Sequence, residues 1–347
     1  MAYTTINKPT DHFNTKLYVG NGSDGHSITG VGFKPDFVWT KNRDHAADHY
    51  IHDIVRGVQK AIRPNNNSGT YDTSINLQSF DSDGFTVGTQ DGLNKNGDNI
   101  VSWNWLAGGS QGSSNTSGTI NTTYTSANTT AGISISQYNG DGNNGATIGH
   151  GLGAAPKCVI IKRTDTTSNW IFAEKTFGFT KFLYLNDDAA ATTNSGPFNN
   201  TAPSSSVITL GTWNDVNNSS GTYVAYAFAE KTGFSKFGKF TGNGSADGTF
   251  IYTGFKPAFM LLKNTTTAGE WWIINDNKRD IDNPIQKDLF SNNSNTEASH
   301  DRMDFVSNGF KMRSTANNSN KSGNIFVFMA FAENPLVGTN NIPALAR

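Results

Sequence analysis

Short apolar runs, each bounded by proline, glycine or charged residues, recur along the whole chain. Residues 37–39 (FVW) and 158–161 (CVII) are continuous runs, a pattern typical of strands buried on both faces. Other runs alternate with a period of two, which places Trp103 and Trp105 on one face of a strand. The alternating runs lie at residues 102–105, 225–228 and 328–331. Turns rich in Gly, Asn, Ser and Asp separate these runs, so the pattern predicts an all-β chain.

The same three signals occur three times in the same order. A glycine-rich opening (YVGNGSDG, YNGDGNNG, FTGNGSADG) precedes a proline and a strand (GFKPDFVWTK, GAAPKCVIIK, GFKPAFMLLK), and an aromatic strand follows later. The proline and the matching aromatic residue are 70, 72 and 74 positions apart; the pairs are Pro35 and Trp105, Pro156 and Phe228, and Pro257 and Phe331. Such regular self-similarity predicts three homologous repeats of about 100 residues each.

About seven or eight short strands fit into each repeat, which predicts three tandem antiparallel β-sandwich domains of the jelly-roll or lectin-like type. A stretch of Gly, Ser, Thr and Asn with few apolar residues separates the first two repeats and is expected to be a flexible linker or a long surface loop. The predicted segments are an N-terminal arm (1–15), repeat 1 (16–109), the linker (110–132), repeat 2 (133–231), repeat 3 (232–336) and a C-terminal tail (337–347).

Composition and charge exclude several classes of protein. The 23 Phe, 10 Tyr and 7 Trp supply packing material that disordered chains lack. A net charge of −1 gives no general attraction to nucleic acid or to an anionic membrane, and no apolar run approaches the ~20 residues of a membrane span. The N-terminus has no secretory signal, and the single cysteine, Cys158, rules out an intrachain disulfide. We therefore expect folding in a reducing cytoplasm, with Cys158 at an apolar core position.

The first repeat resembles a repeat domain common in proteins of marine bacteriophages. The resemblance lies in YVGNGSDGHSITGVGFKPDFVWTKNR, HDIVRG, SFDSDGFTVG and WNWLAGG, and the closing AFAENPLVG…PALAR is similar to the C-terminal ends of such chains. It covers nearly the whole chain in three copies. It implies a concanavalin-like component of the phage particle, located in the virion after synthesis in the host cytoplasm. It supplies no set of catalytic residues.

The densest ionisable cluster, at residues 43–53, contains three histidines and three aspartates. His45 and His49 would share a face of a strand. The other repeats have Trp170 and Trp271–Trp272 in this place, whereas a structural metal of the repeat would recur. We therefore predict no metal and no cofactor, and we expect the turn aspartates Asp24, Asp81, Asp83, Asp141 and Asp247 to cap turns rather than to bind Ca²⁺.

No catalytic motif is present: the chain has no GxSxG, HExxH or phosphate-binding glycine loop followed by a helix. The first repeat contains no glutamate, which argues against an enzymatic repeat. The chain is therefore predicted not to be an enzyme. Asp53 and Arg56 are expected to form at most a surface ion pair that shapes a turn, worth less than ~1 kcal/mol.

The aromatic residues divide into two groups. The repeat alignment assigns Trp39, Trp103 and Trp105 to the core. The candidate ligand-binding residues, which would stack on sugars, are Trp170, Trp213, Trp271 and Trp272. A subunit interface is an equally good interpretation of these four residues.

Two functional hypotheses follow. The first is a virion structural protein, as a tail fibre, head decoration or adaptor, that contacts other virion proteins and assembles as a homo-oligomer, with a trimer favoured. The second is a carbohydrate-binding adhesin that recognises host surface glycans, with a glycan-degrading enzyme a weaker possibility. In either case we expect at least one chain terminus to dock on another subunit or on the particle.

Overall fold

The protein is described by a computed structural model covering residues 3–338, of which nearly all the regular structure is β. Strands make up 42% of the chain and helix only 3%. Every strand pairing is antiparallel, apart from one isolated parallel bridge between Ile120 and Ile148. The all-β prediction is confirmed. Residues 339–347, most of the predicted C-terminal tail, lie outside the described residues.

The three repeats share the strands of their main sheets and differ in the shorter elements between them. A 3-10 turn at Pro9–Asp11 comes first. The first repeat contains β1 (Phe13–Val19), β2 (His26–Thr29), β3 (Phe37–Asn42), β4 (Tyr50–Asp53), β5 (Lys60–Ala61), β6 (Tyr71–Asp72), β7 (Leu77–Asp81), β8 (Gly84–Val87), α1 (Asp91–Asn94) and β9 (Asn99–Trp105). The second contains β10 (Tyr124–Asn128), β11 (Ile133–Asn139), β12 (Thr147–Gly149), β13 (Cys158–Arg163), β14 (Trp170–Glu174), β15 (Lys181–Tyr184), β16 (Thr192–Thr193), β17 (Val207–Thr209), α2 (Asn214–Asn217) and β18 (Thr222–Phe228). The third contains β19 (Ser235–Thr241), β20 (Phe250–Tyr252), β21 (Phe255–Asn264), β22 (Ile273–Asp276), β23 (Ile285–Phe290), β24 (Ala298–Val306), β25 (Gly309–Met312) and β26 (Ile325–Pro335).

The main sheets of the three repeats share one strand order. It is β1-β9-β3-β4 in the first repeat, β11-β18-β13-β14 in the second and β19-β26-β21-β22 in the third. The registers also agree, because Phe37 lies opposite Trp105, Cys158 opposite Phe228 and Phe259 opposite Phe331. The first residue of each pair lies two positions after the proline of its repeat. The three prolines therefore occupy equivalent positions, as the sequence spacing predicts.

Each main sheet is buried on both faces. The outer face packs against a smaller group of strands, and a separate apolar core fills that space in each repeat. The inner faces of all three main sheets meet in one central core. Trp105 and Phe331 have ring centroids 5.5 Å apart, Phe228 and Phe331 6.1 Å, and Phe37 and Tyr226 4.8 Å. All three pairs of repeats thus share aromatic contacts, and the repeats close into a ring around a common core.

The segment between repeats 1 and 2 differs from the flexible linker or long surface loop that its composition predicts. Residues 110–132 contain β10, which pairs with β11, and Ile120 lies in the apolar core of the second repeat. Ser126 Oγ also accepts a hydrogen bond from the Gly108 backbone N–H at 3.0 Å. The Ser/Thr/Gly composition suggests a flexible linker, but these residues form backbone pairs with the second repeat, so the segment is an ordered part of its sheet.

The N-terminal segment packs on the far end of the same chain. Thr4 donates a hydrogen bond to the Thr232 carbonyl at 2.7 Å, and the Tyr3 hydroxyl donates to the Gly254 carbonyl at 2.8 Å. Ile6 is buried in the central core, and β1 begins at Phe13, before the predicted start of repeat 1. Within the described residues, this arm fastens the first repeat to the third.

A buried asparagine in each repeat binds the backbone of the glycine-rich opening. Asn94, Asn217 and Asn320 are fully buried at equivalent positions late in the three repeats. Each accepts a hydrogen bond from a backbone N–H of the opening loop and donates one to a carbonyl of that loop, with all six distances between 2.8 and 3.1 Å. Gly20 shows why glycine is needed there, because a Cβ would lie 2.2 Å from the Lys95 carbonyl oxygen. The motif that defines the repeat is therefore a structural clamp.

Candidate functional site

The structure places two of the four candidate sugar-stacking tryptophans in the central core, which corrects that expectation. Trp170 and Trp272 are fully buried, so neither presents a face to a ligand. Their indole N–H groups point across repeat boundaries: Trp170 donates to the Arg63 carbonyl at 3.1 Å and Trp272 to the Tyr184 carbonyl at 2.9 Å. Both side chains therefore join neighbouring repeats.

The other two candidates lie nearer the surface. Trp213 is partly buried and packs edge-on against Phe182, with ring centroids 4.9 Å apart. Trp271 is 39% exposed and rests on Phe290 at 5.0 Å. The structure does not bring these two tryptophans together with each other, and only Trp271 offers substantial free ring surface.

Asp53 and Arg56 form a buried pair and not the expected surface pair. The Arg56 Nε donates to Asp53 Oδ2 at 2.6 Å, and both side chains are almost completely buried. The Tyr226 hydroxyl of the second repeat donates to the same carboxylate oxygen at 2.7 Å. The pair therefore anchors the boundary between the first and second repeats.

The boundary between the third and first repeats has the same construction. The Arg279 Nε donates to Asp276 Oδ2 at 2.6 Å, and the Trp103 indole N–H of the first repeat donates to that oxygen at 3.0 Å. Arg279 Nη1 also forms an ion pair with Glu297 at 3.1 Å. Arg43 of the first repeat donates two hydrogen bonds to the Glu297 carboxylate at 2.8 Å each. Burial raises the pKa of Glu297, but the hydrogen bond from Arg43 and the charge of Arg279 outweigh it and lower the pKa overall.

The boundary between the second and third repeats lacks these partners. Glu174 replaces the aspartate, Phe177 stands three residues later in place of arginine, and Met329 occupies the position of Tyr226. Within residues 3–338 the Glu174 side chain accepts hydrogen bonds from residues of its own turn, Thr176 and Phe177. Burial raises its pKa because the charged form is desolvated.

Three backbone hydrogen bonds close the ring in a cyclic pattern. The Thr70 N–H donates to the Thr164 carbonyl of the second repeat at 2.8 Å. The Ala191 N–H donates to Thr265 of the third repeat at 2.9 Å, and the Glu297 N–H donates to Arg43 of the first repeat at 2.9 Å. Thr70, Ala191 and Glu297 are therefore equivalent positions in three equivalent loops, each reaching over the next repeat in the cycle.

A buried lysine lies beside each of these loops, namely Lys41, Lys162 and Lys263. Lys162 Nζ donates to the Ser168 carbonyl at 2.8 Å, and Lys263 Nζ donates to the Asp188 carbonyl of the second repeat at 3.0 Å. Burial lowers the pKa of Lys162 to about 7 and those of Lys41 and Lys263 to about 8. The lysines donate hydrogen bonds to backbone carbonyls and so satisfy buried acceptors.

The histidine cluster does not converge on one point. His49 is fully buried, and its Nδ1 accepts a hydrogen bond from the Trp39 indole at 3.0 Å, which leaves the ring neutral. Burial holds the pKa of His49 well below its usual value and lowers that of His52 to about 3. His45 instead contacts Lys95 Nζ at 3.1 Å. Among residues 3–338, no group of three His, Cys, Asp or Glu side chains is arranged to hold a metal ion.

The turn aspartates accept hydrogen bonds in different ways, and two of them, Asp24 and Asp81, accept them from the side chains of Gln78 and Thr86. Asp83 accepts hydrogen bonds from the backbone N–H groups of Gly30 and Gly32, which lowers its pKa. Asp141 caps its own turn at Asn143 N–H, 2.8 Å away. Asp247 contacts the Lys311 ammonium group.

A polar cleft opens at the boundary between the first and second repeats. Its volume is about 310 Å³. Arg56 lies at the cleft and is 94% buried, and the rim carries hydroxyl, amide, ammonium and carboxylate groups. The lining residues are Arg56, Lys60, Thr70, Asp72, Gln137, Thr164, Asp165 and Thr222. Sequence reasoning missed this cleft because its residues come from five separate segments. The recurring D-x-x-R at residues 53–56 and 276–279 points to the boundary but not to the cleft.

These features define an all-β protein of three equivalent repeats closed around one core. The chain belongs to the family defined by the domain of unknown function DUF7483, whose model matches residues 8–335. The matched region spans all three repeats, so the closed ring coincides with the family's unit. No curated protein and no solved structure is similar enough to the chain to count as a match. None of the helices in the described residues has the length and apolar character needed to cross a membrane.

Proposed function

We propose that the chain is a non-enzymatic structural protein of a bacteriophage particle, built from three tandem β-sandwich domains of the jelly-roll or lectin-like type. The observation that carries the proposal is the common core, in which aromatic residues of all three repeats meet. A protein closed in this way is a rigid body, because moving one repeat would expose buried aromatic surface and unpaired carboxylates. Rigidity of this kind suits a component that supports or displays other parts of a particle.

We propose three positions in the particle that suit a rigid protein: tail fibre, head decoration or adaptor. In each case the partners are other virion proteins, and we propose assembly as a homo-oligomer, with a trimer favoured because particles attach such modules around symmetry axes. The three repeats already close around one core within a single chain. That arrangement would match a threefold-symmetric body without requiring three copies, so light scattering of the purified chain separates the two cases.

The experiment for the proposal is location. Purified particles are analysed by mass spectrometry and labelled with a gold-conjugated antibody raised against the chain. We expect the protein in stoichiometric amount at one site on the particle. Its recovery only from the infected-cell lysate, with none in purified particles, would contradict a structural role.

Carbohydrate binding at the host surface is the second candidate, favoured by the polar cleft beside Arg56. A cleft lined by hydroxyl, amide and charged groups offers the hydrogen-bonding partners that a hydroxyl-rich ligand needs. Trp271 supplies a separate exposed aromatic face. A glycan array probed with the isolated chain tests this function, and no signal above that of a heat-unfolded sample would remove it.

A further inference from the structure

The three repeat boundaries differ at one equivalent place. At the boundary between the third and first repeats, Glu297 fills the space between Arg279 and Arg43, and its side chain is only 12% exposed. Thr70 occupies the equivalent position at the boundary between the first and second repeats, and Thr164 occupies the position of Arg43. Both side chains are short. The space that a carboxylate fills at one boundary is therefore an open cleft at the other.

The arginine that binds Glu297 at the boundary between the third and first repeats has an equivalent at the boundary between the first and second repeats. Arg56 corresponds to Arg279, since each lies three residues after a buried aspartate and binds it through Nε at 2.6 Å. Arg279 Nη1 donates to Glu297 at 3.1 Å, whereas Arg56 Nη1 donates to the Lys60 carbonyl at 2.7 Å. The Lys60 carbonyl is the acceptor of Arg56 Nη1, which carries a second N–H. The ammonium group of exposed Lys60 adds a second positive charge at the cleft.

The rest of the lining fits hydroxyl groups. Thr70, Thr222 and Gln137 provide uncharged donors and acceptors, and exposed Asp72 provides a carboxylate acceptor. Asp165 is neutralised by Arg163, which binds it through two N–H groups at 2.9 Å each. A ligand suited to this cleft has one carboxylate for the Arg56 end and several hydroxyls for the rim. A volume of about 310 Å³ accommodates a sugar of one or two rings.

We propose that this cleft binds an acidic saccharide, with the carboxylate of a uronic acid residue taking the place that Glu297 occupies at the equivalent boundary. A carboxylate there receives a charge-assisted hydrogen bond from Arg56 in a site shielded from water on the side of the central core. The proposal rests on the second candidate function, carbohydrate binding at this cleft, and it is independent of the structural role in a particle.

The third boundary explains why only one such site exists among the described residues. There the arginine is replaced by Phe177 and the threonine by Ala191, so no arginine faces the equivalent space. This boundary supplies a matched control. A glutamate introduced at Thr70 has a partner in Arg56, while a glutamate introduced at Ala191 has no arginine partner, because Phe177 stands there.

The test uses thermal unfolding of the full chain with D-galacturonate, D-glucuronate and, as a neutral match, D-galactose. We expect the unfolding midpoint to rise with at least one uronate and not with galactose, because a ligand that binds only the folded state stabilises it. In the variant Thr70→Glu, the new carboxylate should raise the midpoint without ligand and abolish the response. The variant Ala191→Glu should keep the wild-type response.

The proposal is overturned if the wild-type midpoint responds to neither uronate, or responds equally to galactose. A Thr70→Glu protein that folds and responds to uronate like wild type would also overturn it. If Thr70→Glu does not fold, the exposed variant Lys60→Gln replaces it, with Lys181→Gln at the equivalent position as the control. We expect Lys60→Gln to weaken uronate binding about threefold, and unchanged affinity would contradict the site.

Discussion

The substitution Tyr226→Phe removes one hydroxyl that crosses the boundary between the first and second repeats. That hydroxyl donates to Asp53 Oδ2 at 2.7 Å, and both side chains are buried. A hydrogen bond to a charged group contributes roughly 1.5–3 kcal/mol. Asp53 retains the Arg56 side chain and the Arg56 backbone N–H as donors. We therefore expect the free energy of unfolding to fall by about 2 kcal/mol.

The assay is equilibrium unfolding in denaturant, followed by intrinsic fluorescence and by circular dichroism, with Tyr138→Phe as the matched control. Tyr138 is equally buried, but its hydroxyl donates to a neutral carbonyl, that of Val216, inside the second repeat at 2.7 Å. The control should cost about 1 kcal/mol. A double-mutant cycle with Asp53→Asn should show coupling between positions 226 and 53. A loss in Tyr226→Phe no larger than in Tyr138→Phe, without coupling to Asp53, would refute the role of this hydroxyl in joining the repeats.

Three further predictions concern the clamp, the buried lysines and the tryptophans. Asn217→Ala should lower the free energy of unfolding by about 2–4 kcal/mol, because it removes several buried hydrogen bonds to the glycine-rich loop; a loss below about 1 kcal/mol in denaturant would contradict the clamp. The pKa of Lys162, lowered by burial to about 7, means that between pH 7 and the ordinary lysine pKa of about 10.4 the folded state binds fewer protons than the unfolded state, so stability rises with pH. Lys162→Met should flatten this rise between about pH 7 and 9.5 by up to ~1.4 kcal/mol per pH unit, whereas exposed Lys181→Met should leave it unchanged; identical slopes would argue against burial as the cause. Trp170→Ala should cost about 3–5 kcal/mol and Trp271→Ala less than about 1 kcal/mol, and similar losses in melting experiments would show that the two sites are misassigned.

The order and equivalence of the repeats could be predicted from the sequence, because turns and apolar runs recur at nearly constant spacing. Trp39, Trp103 and Trp105 were predicted to be core residues, and all three are buried. The common core could not be predicted in the same way. A strand such as β3 is buried on both faces, and a continuous apolar run does not tell which face meets its own repeat and which meets another.

The sequence does contain a signal of the repeat boundaries. Lys41, Lys162 and Lys263 stand at the same place near the ends of three strands with apolar runs, and a buried charge there requires a specific partner. The sequence does not show which group is that partner. The two carbonyls that accept hydrogen bonds from Lys263, for example, belong to two different repeats. The cleft beside Arg56 is harder still to predict. It exists because Thr70 and Thr164 are short where Glu297 and Arg43 are long, and that comparison requires the loops to be aligned in space.

Calorimetry of the full chain tests most directly whether the three repeats form one closed body. Unfolding is recorded by differential scanning calorimetry, and the calorimetric enthalpy is compared with the van't Hoff enthalpy of the same transition. A shared core and cyclic hydrogen bonds predict a single transition with a ratio of the two enthalpies near one. Three separate transitions, or a calorimetric enthalpy about three times the van't Hoff value, would mean that the repeats unfold independently and would contradict the ring.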